Sequence, residues 1–136
     1  MSTIIRVTGE HPSTITVGHG LGFEPILEAL DEAATKVLII HAGPLASRAE
    51  ALAQYLRERG IEASTVDHPD AEAGKSIEVV ASLWDECGRL QLGRKDAIVA
   101  MGGGATTDMA GFVAATWLRG ITLINVPTTL LAMVDA

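Results

Sequence analysis

Gly102-Gly103-Gly104 is the segment of this sequence best suited to chemistry. An apolar run at residues 97–101 precedes it, and a stretch with helical character begins near Thr107. Three glycines let a chain turn tightly and bring its backbone close to a ligand. The start of a helix offers unpaired N–H groups and a partial positive charge. A strand, a glycine turn and a helix in that order form a seat for phosphate or pyrophosphate. The spacing is neither the GxGxxG fingerprint nor a Walker motif, so a bare tight turn explains the glycines equally well.

Other residues fall near the same place. Asp108 sits in the first turn of the expected helix, where the helix dipole alone favours a carboxylate and where it can also face a ligand. Pro127-Thr128-Thr129 repeats the step from strand end to helix start. Thr128 there reads as an N-cap, or as a hydroxyl facing a ligand at the same sheet edge. Pro69-Asp70-Ala71-Glu72-Ala73-Gly74-Lys75 reads, on composition alone, as a solvated loop. His11, His19, His41 and His68 have no ligand-like mutual spacing, so each reads as structural or exposed. Cys87 lies on the same helical stripe as Trp84 and reads as a buried thiol, not a nucleophile.

Positioning these residues requires an α/β framework. Residues 4–7 and 13–17 read as a hairpin turning around Glu10-His11-Pro12. Helices are predicted near 23–34, 45–59, 76–90 and 107–118, and strands at 36–40, 61–66, 96–101 and 121–126. Ile77, Val80, Ala81, Trp84 and Cys87 make the clearest helical stripe. Gly60 is placed to cap the second helix, and Gly93 lies just past the third. Another helix opens after Thr129. Strands and helices alternate from residue 36 onward, and the strands are mostly apolar runs. That pattern predicts a Rossmann-like, mostly parallel sheet with helices on both faces and an N-terminal β-hairpin.

Composition narrows the partners. The chain has 136 residues, 48% hydrophobic and 20% charged, with a net charge of −7. This is a globular composition, and the acidic balance argues against nucleic acid. One cysteine allows no intrachain disulfide and fits a reducing cytoplasm. The start, Met-Ser-Thr-Ile-Ile-Arg, lacks the basic and apolar pattern of a signal peptide. No apolar run is long enough to span a bilayer, so no membrane partner is expected. The end at Met133-Val134-Asp135-Ala136 has no polar linker, and residues 1–136 are read as one domain truncated before another.

Residues 102–120, Gly-Gly-Gly-Ala-Thr-Thr-Asp-Met-Ala-Gly-Phe-Val-Ala-Ala-Thr-Trp-Leu-Arg-Gly, and residues 126–135, Val-Pro-Thr-Thr-Leu-Leu-Ala-Met-Val-Asp, resemble the central signature of the 3-dehydroquinate synthase family. The acidic loop at 69–75, ending in lysine, is similar as well. The resemblance implies an N-terminal NAD-binding domain and a C-terminal domain holding a divalent metal, zinc or cobalt. It implies conversion of a sugar phosphate, 3-deoxy-arabino-heptulosonate 7-phosphate, to 3-dehydroquinate and phosphate in the shikimate pathway, by a homodimer. Carried onto this chain, it implies cofactor contacts at Asp70, Glu72, Lys75, Gly103, Gly104, Ala105, Asp108, Thr128 and Thr129. It implies substrate contacts at Arg119, reaching across a dimer interface, and at Asp135. No catalytic residue and no metal ligand is assigned to residues 1–136. Two other readings stay open: a related sugar-phosphate cyclase, and a stand-alone nucleotide-binding module.

The chain departs from the family pattern in three places. Thr107 stands where the family often has glycine, which is expected to tighten the room beside the ligand. His41-Ala42-Gly43 follows the strand at 36–40 where an acidic residue is common, which puts a ribose contact there in doubt. Asp135 is followed by Ala136 where many members have serine.

Overall fold

A computed structural model of the chain describes residues 2–69 and 75–135, apart from the side chain of Asp135. Asp70 and Glu72 lie outside the described residues. The element order is β1 (Ser2–Val7), β2 (Ser13–Gly18), α1 (Glu24–Ala29), β3 (Lys36–Ala42), a 3₁₀ turn (Gly43–Leu45), α2 (Ala46–Arg57), β4 (Glu62–His68), α3 (Ile77–Leu90), β5 (Ala97–Gly102), α4 (Gly104–Thr116), β6 (Thr122–Pro127) and α5 (Leu130–Asp135). The first two strands pair antiparallel as the expected hairpin. The other four form one parallel sheet in the order β4-β3-β5-β6.

Burial on both faces explains the continuous apolar runs of the central strands. Val37, Leu38, Ile39 and Ile40 are fully buried, as are Ile98, Val99, Ala100 and Met101. Alternate residues serve opposite faces. Leu38, Ile40, Ile98 and Ala100 pack with Val80, Leu83 and Cys87 of α3 and with Ala110 and Val113 of α4. Val37, Ile39, Val99 and Met101 pack with Ile26 of α1 and with Ala49, Leu52, Ala53 and Leu56 of α2. The sheet is therefore covered on both faces, as the alternation predicts.

Helix ends refine the sequence boundaries. The first helix stops at Ala29, short of residue 34, because Leu30 is extended and the Asp31 carboxylate accepts a 2.8 Å bond from the Ala33 N–H. Gly60, at φ +83°, closes the end of α2 as expected. The left-handed position after α3 is taken by Gln91, at φ +55°, and not by Gly93. The N-terminus of α3 is capped by Ser76, whose hydroxyl accepts from the Val79 N–H at 3.3 Å. The fourth helix begins at Gly104, three residues before the expected start.

Strand order decides where a ligand can sit. The chain leaves β3 for β4 on one side, then crosses back over β3 to reach β5 on the other. Connections diverge at the carboxyl ends of β3 and β5, and open α/β sheets leave a crevice at such a switch point. Gly102, the last residue of β5, lies at that edge.

Candidate functional site

The three glycines differ in the room around them. None has a positive φ. A Cβ on Gly102 would lie 2.8 Å from Cβ and Oγ1 of Thr106, so the buried threonine forbids any side chain there. A Cβ on Gly103 would lie 3.2 Å from Cγ2 of Thr129, a tight approach. A Cβ on Gly104 would meet only Leu131 Cδ2, at an ordinary 3.8 Å. Nothing described in the chain requires Gly104 to lack a side chain. A ligand approaching its backbone would.

Gly103 is the N-cap of α4, with φ −84° and ψ −166°, and has no side chain with which to cap. Its own cap position therefore offers no side-chain acceptor to the first helical N–H groups, which stand at the positive end of a 13-residue helix. The Thr107 N–H already bonds to the Gly103 carbonyl at 3.0 Å. Ala105 is half-buried in the same first turn. Thr107 turns its side chain back onto the turn itself. It is 2% exposed, and its hydroxyl donates back to the Gly103 and Gly104 carbonyls.

The next strand supports this turn. The Thr128 N–H donates to the Gly102 carbonyl at 2.9 Å, tying the end of β6 to the end of β5. The capping role falls to Thr129 rather than Thr128, since Thr129 Oγ1 accepts from the Ala132 N–H at 3.2 Å. Both threonines are exposed at the same edge as Gly103. Asp135 ends the short helix that follows.

Lys75 and Asp108 come together. Lys75 Nζ lies 2.9 Å from Asp108 Oδ2, linking the residue before the α3 cap to the second turn of α4. Beside them is a shallow depression of about 310 Å³, with Ile77, Val80, Met109 and Phe112 among its lining residues.

Arg119 stands apart. It follows α4, whose 13 residues span about 20 Å at 1.5 Å per residue. Arg119 therefore lies toward the amino edge of the sheet, opposite Gly103. It is exposed and held at φ +66°, between Leu118 at +48° and Gly120 at +106°. Within one chain it cannot share a small ligand with the glycine turn.

Two histidines are buried at the carboxyl edge. His41 Nδ1 lies 2.8 Å from the carbonyl of Ala42. His68 Nδ1 lies 3.2 Å from Thr106 Oγ1. His41 and His68 are thus buried and partnered, while His11 and His19 are exposed. Sequence reasoning passed over Thr106, whose place under Gly102 no spacing rule reports. Cys87 is fully buried, and that burial pushes its thiol up to about 11. Among the described residues, no three His, Cys, Asp or Glu side chains converge as a metal site. No helix among them is long and apolar enough to cross a membrane.

The family model described as 3-dehydroquinate synthase N-terminal matches residues 65–136. This chain belongs to that family. It is 48% identical over 132 residues to the 3-dehydroquinate synthase of Mycolicibacterium vanbaalenii and 46% identical to that of Mycobacterium leprae. Each match covers 97% of this chain and 36% of the relative, so the chain spans about a third of the length of these curated relatives. Among solved structures, 2-deoxy-scyllo-inosose synthase complexed with carbaglucose-6-phosphate, NAD+ and Co2+ superposes with a TM-score of 0.84 at 26% identity. That match covers 98% of this chain and 37% of the other. The 2-epi-5-epi-valiolone synthase of Streptomyces hygroscopicus, with NAD+ and Zn2+ bound, gives 0.65 at 30% identity, over 76% of this chain and 30% of the other. The glycine turn and the Lys75–Asp108 pair both fall within the matched family segment.

Proposed function

We propose that this chain is the NAD-binding part of an enzyme that converts 3-deoxy-arabino-heptulosonate 7-phosphate to 3-dehydroquinate and phosphate. The observation that carries the reading is the amino end of α4. It lies at the carboxyl edge of β5, has no side-chain cap, and begins with a glycine whose bareness the described chain does not require. Such an end suits a pyrophosphate. The residues present therefore fit NAD.

In this reading the backbone amides at Gly104 and Ala105 bind the pyrophosphate. Lys75 and Asp108 hold the adenosine side, with the apolar floor of the neighbouring depression beneath it. Thr128 and Thr129 line the opposite side of the turn. Asp70 and Glu72 complete the cofactor contacts, and Asp135 contacts substrate. When bound, NAD supplies a hydride acceptor that returns the hydride after phosphate has left. The divalent metal of the reaction, zinc or cobalt, has no ligand set among the described residues, and no step is assigned to it here. Arg119 serves a substrate phosphate in a partner subunit of a homodimer; its distance from the glycine turn of its own chain supports that reading. The reaction belongs to the shikimate pathway in the cytoplasm.

A related sugar-phosphate cyclase is the second reading, favoured by the NAD-bound structural neighbours. The 46–48% identity to 3-dehydroquinate synthases, against 26–30% to those cyclases, supports the first. A nucleotide-binding module without catalysis is a third. Calorimetric titration of the 136-residue chain with NAD tests the shared premise. Saturable binding is expected, and no heat of binding at millimolar NAD overturns it.

A further inference from the structure

We propose that His68 is a positioning residue for the dinucleotide site, acting through Thr106 on the first turn of α4. The inference deepens the NAD-binding reading and rests on it. His68 is 1% exposed and ends β4. Thr106 is 3% exposed and lies in the first turn of α4. Their side chains meet at 3.2 Å, across 38 residues of sequence.

Two features make this contact more than core packing. The first is what Thr106 touches. Its Cβ and Oγ1 fill the space a side chain on Gly102 would need, so the threonine rotamer fixes how closely α4 sits on the end of β5. Threonine in a helix chooses between two χ1 rotamers, and a buried partner for its hydroxyl selects the one that reaches it. The second is register. Ala42 pairs with His68 on one side and, through His41 paired with Met101, falls level with Gly102 on the other. His68, Ala42 and Gly102 thus form one row across the sheet, and their side-chain directions share a face. That is the face on which α3 and α4 pack. His68 therefore reaches the amino end of α4 from two strands away, over the small side chain of Ala42.

The pyrophosphate seat is made of backbone amides, which cannot adjust as side chains do. A shift of a few tenths of an ångström in the first turn of α4 would lengthen every bond those amides donate. The His68–Thr106 bond controls that shift without touching the ligand. The bond joins an imidazole and a hydroxyl, which a leucine and a valine would match in bulk but not in polarity.

The test uses the 136-residue chain and NAD titration by calorimetry, with thermal melting of the same samples. Wild-type binding comes first, and its absence overturns both the NAD reading and this inference. With wild type binding, His68→Leu is expected to raise the NAD dissociation constant five- to tenfold. His68→Gln, whose amide can still bond Thr106, is expected to restore affinity to within about twofold of wild type. Thr106→Val is expected to weaken binding as His68→Leu does, and the double variant to be no worse than either single one. A purely structural role would lower the melting temperature in each variant and leave NAD affinity at the wild-type value. Unchanged NAD affinity in a folded His68→Leu, failure of Gln to restore it, or additive losses overturn the inference. If His68→Leu does not fold, Thr106→Val carries the same test, and wild-type affinity in that variant overturns the inference while leaving the NAD reading intact.

Discussion

Lys75 Nζ and Asp108 Oδ2 lie 2.9 Å apart and join α3 to α4 at the edge where β5 ends. Both side chains are part-exposed, at 35% and 45%, so solvent screens the pair. An ion pair of that exposure contributes about 0–1 kcal/mol to stability. The role proposed for it lies at the neighbouring helix start. The pair holds a cation and an anion in fixed places beside the proposed pyrophosphate seat.

Replacing Lys75 with methionine separates the two roles. The melting temperature should fall by no more than a few degrees, because about 1 kcal/mol or less is lost. The NAD dissociation constant should rise about tenfold or more, as expected for loss of a charged hydrogen bond to a ligand. Parallel melting and calorimetric titration read both. A large loss of stability with unchanged affinity would make the pair a structural clasp.

The glycines give a sharper contrast. Gly102→Ala drives a methyl to 2.8 Å from Thr106 and should destabilise the fold by about 1–3 kcal/mol. Gly104→Ala meets only Leu131 at 3.8 Å and stands in the first helical position. It should leave stability unchanged or slightly raised, since alanine costs less backbone entropy than glycine. Yet it should weaken NAD binding about tenfold, and Gly104→Val more. Urea denaturation of the three variants, paired with NAD titration, checks this. Wild-type affinity in Gly104→Ala would leave that glycine with no assigned role.

Much of this was readable in the sequence, and the limits have physical causes. The central strands stand out because burial on both faces leaves only apolar residues at 37–40 and 97–101. The ligand edge follows from the order of strand, glycines and helix. The helix α4 starts three residues before the point its sequence pattern suggests, because glycines adjoining a helix look like loop whether or not they belong to it. The capping threonine was misplaced by one residue, since Thr128 and Thr129 differ only in which hydroxyl meets the Ala132 N–H. The pairing of Lys75 with Asp108 and of His68 with Thr106 joins residues far apart in the chain, and no local pattern encodes either. Arg119 matched a family motif, but only the length of α4 shows that it lies away from the turn.

Cys87 supplies a prediction in pH. Burial raises its thiol from an ordinary 9.0 to about 11. Protonated thiol is neutral in folded and unfolded chains alike below pH 9. Between pH 9 and about 11 the unfolded chain gives up the proton while the folded chain keeps it, so stability falls as pH rises. The loss approaches on the order of 2 kcal/mol near pH 11. Comparing urea midpoints at pH 8 and pH 10.5 for wild type and Cys87→Ala isolates it, since all other titrating groups are shared. Wild type should lose more than the variant over that interval. A thiol-specific reagent at pH 8 should label the folded wild type slowly, because only about one thiol in a thousand is ionised and none is exposed.

The last prediction concerns turnover. The 136-residue chain, supplied with NAD, zinc or cobalt and the heptulosonate phosphate, should release no phosphate. Hydride transfer requires the substrate hydroxyl to be held against the nicotinamide, and such positioning contributes on the order of 7–11 kcal/mol in favourable cases. The ligand contacts proposed among the described residues fall on the dinucleotide, at Gly104, Lys75 and Asp108. Of the two proposed substrate contacts, Arg119 lies at the far end of α4 from the glycine turn and so cannot serve the same active site. The matched relatives extend over nearly three times this length. Binding and turnover should therefore separate, with NAD titrating the chain while a phosphate-release assay stays at background. Adding a full-length 3-dehydroquinate synthase to the same mixture should start release at once, which shows that substrate and cofactor are competent. Phosphate release by the 136-residue chain alone would place the whole substrate site within these residues and overturn the separation of binding from turnover.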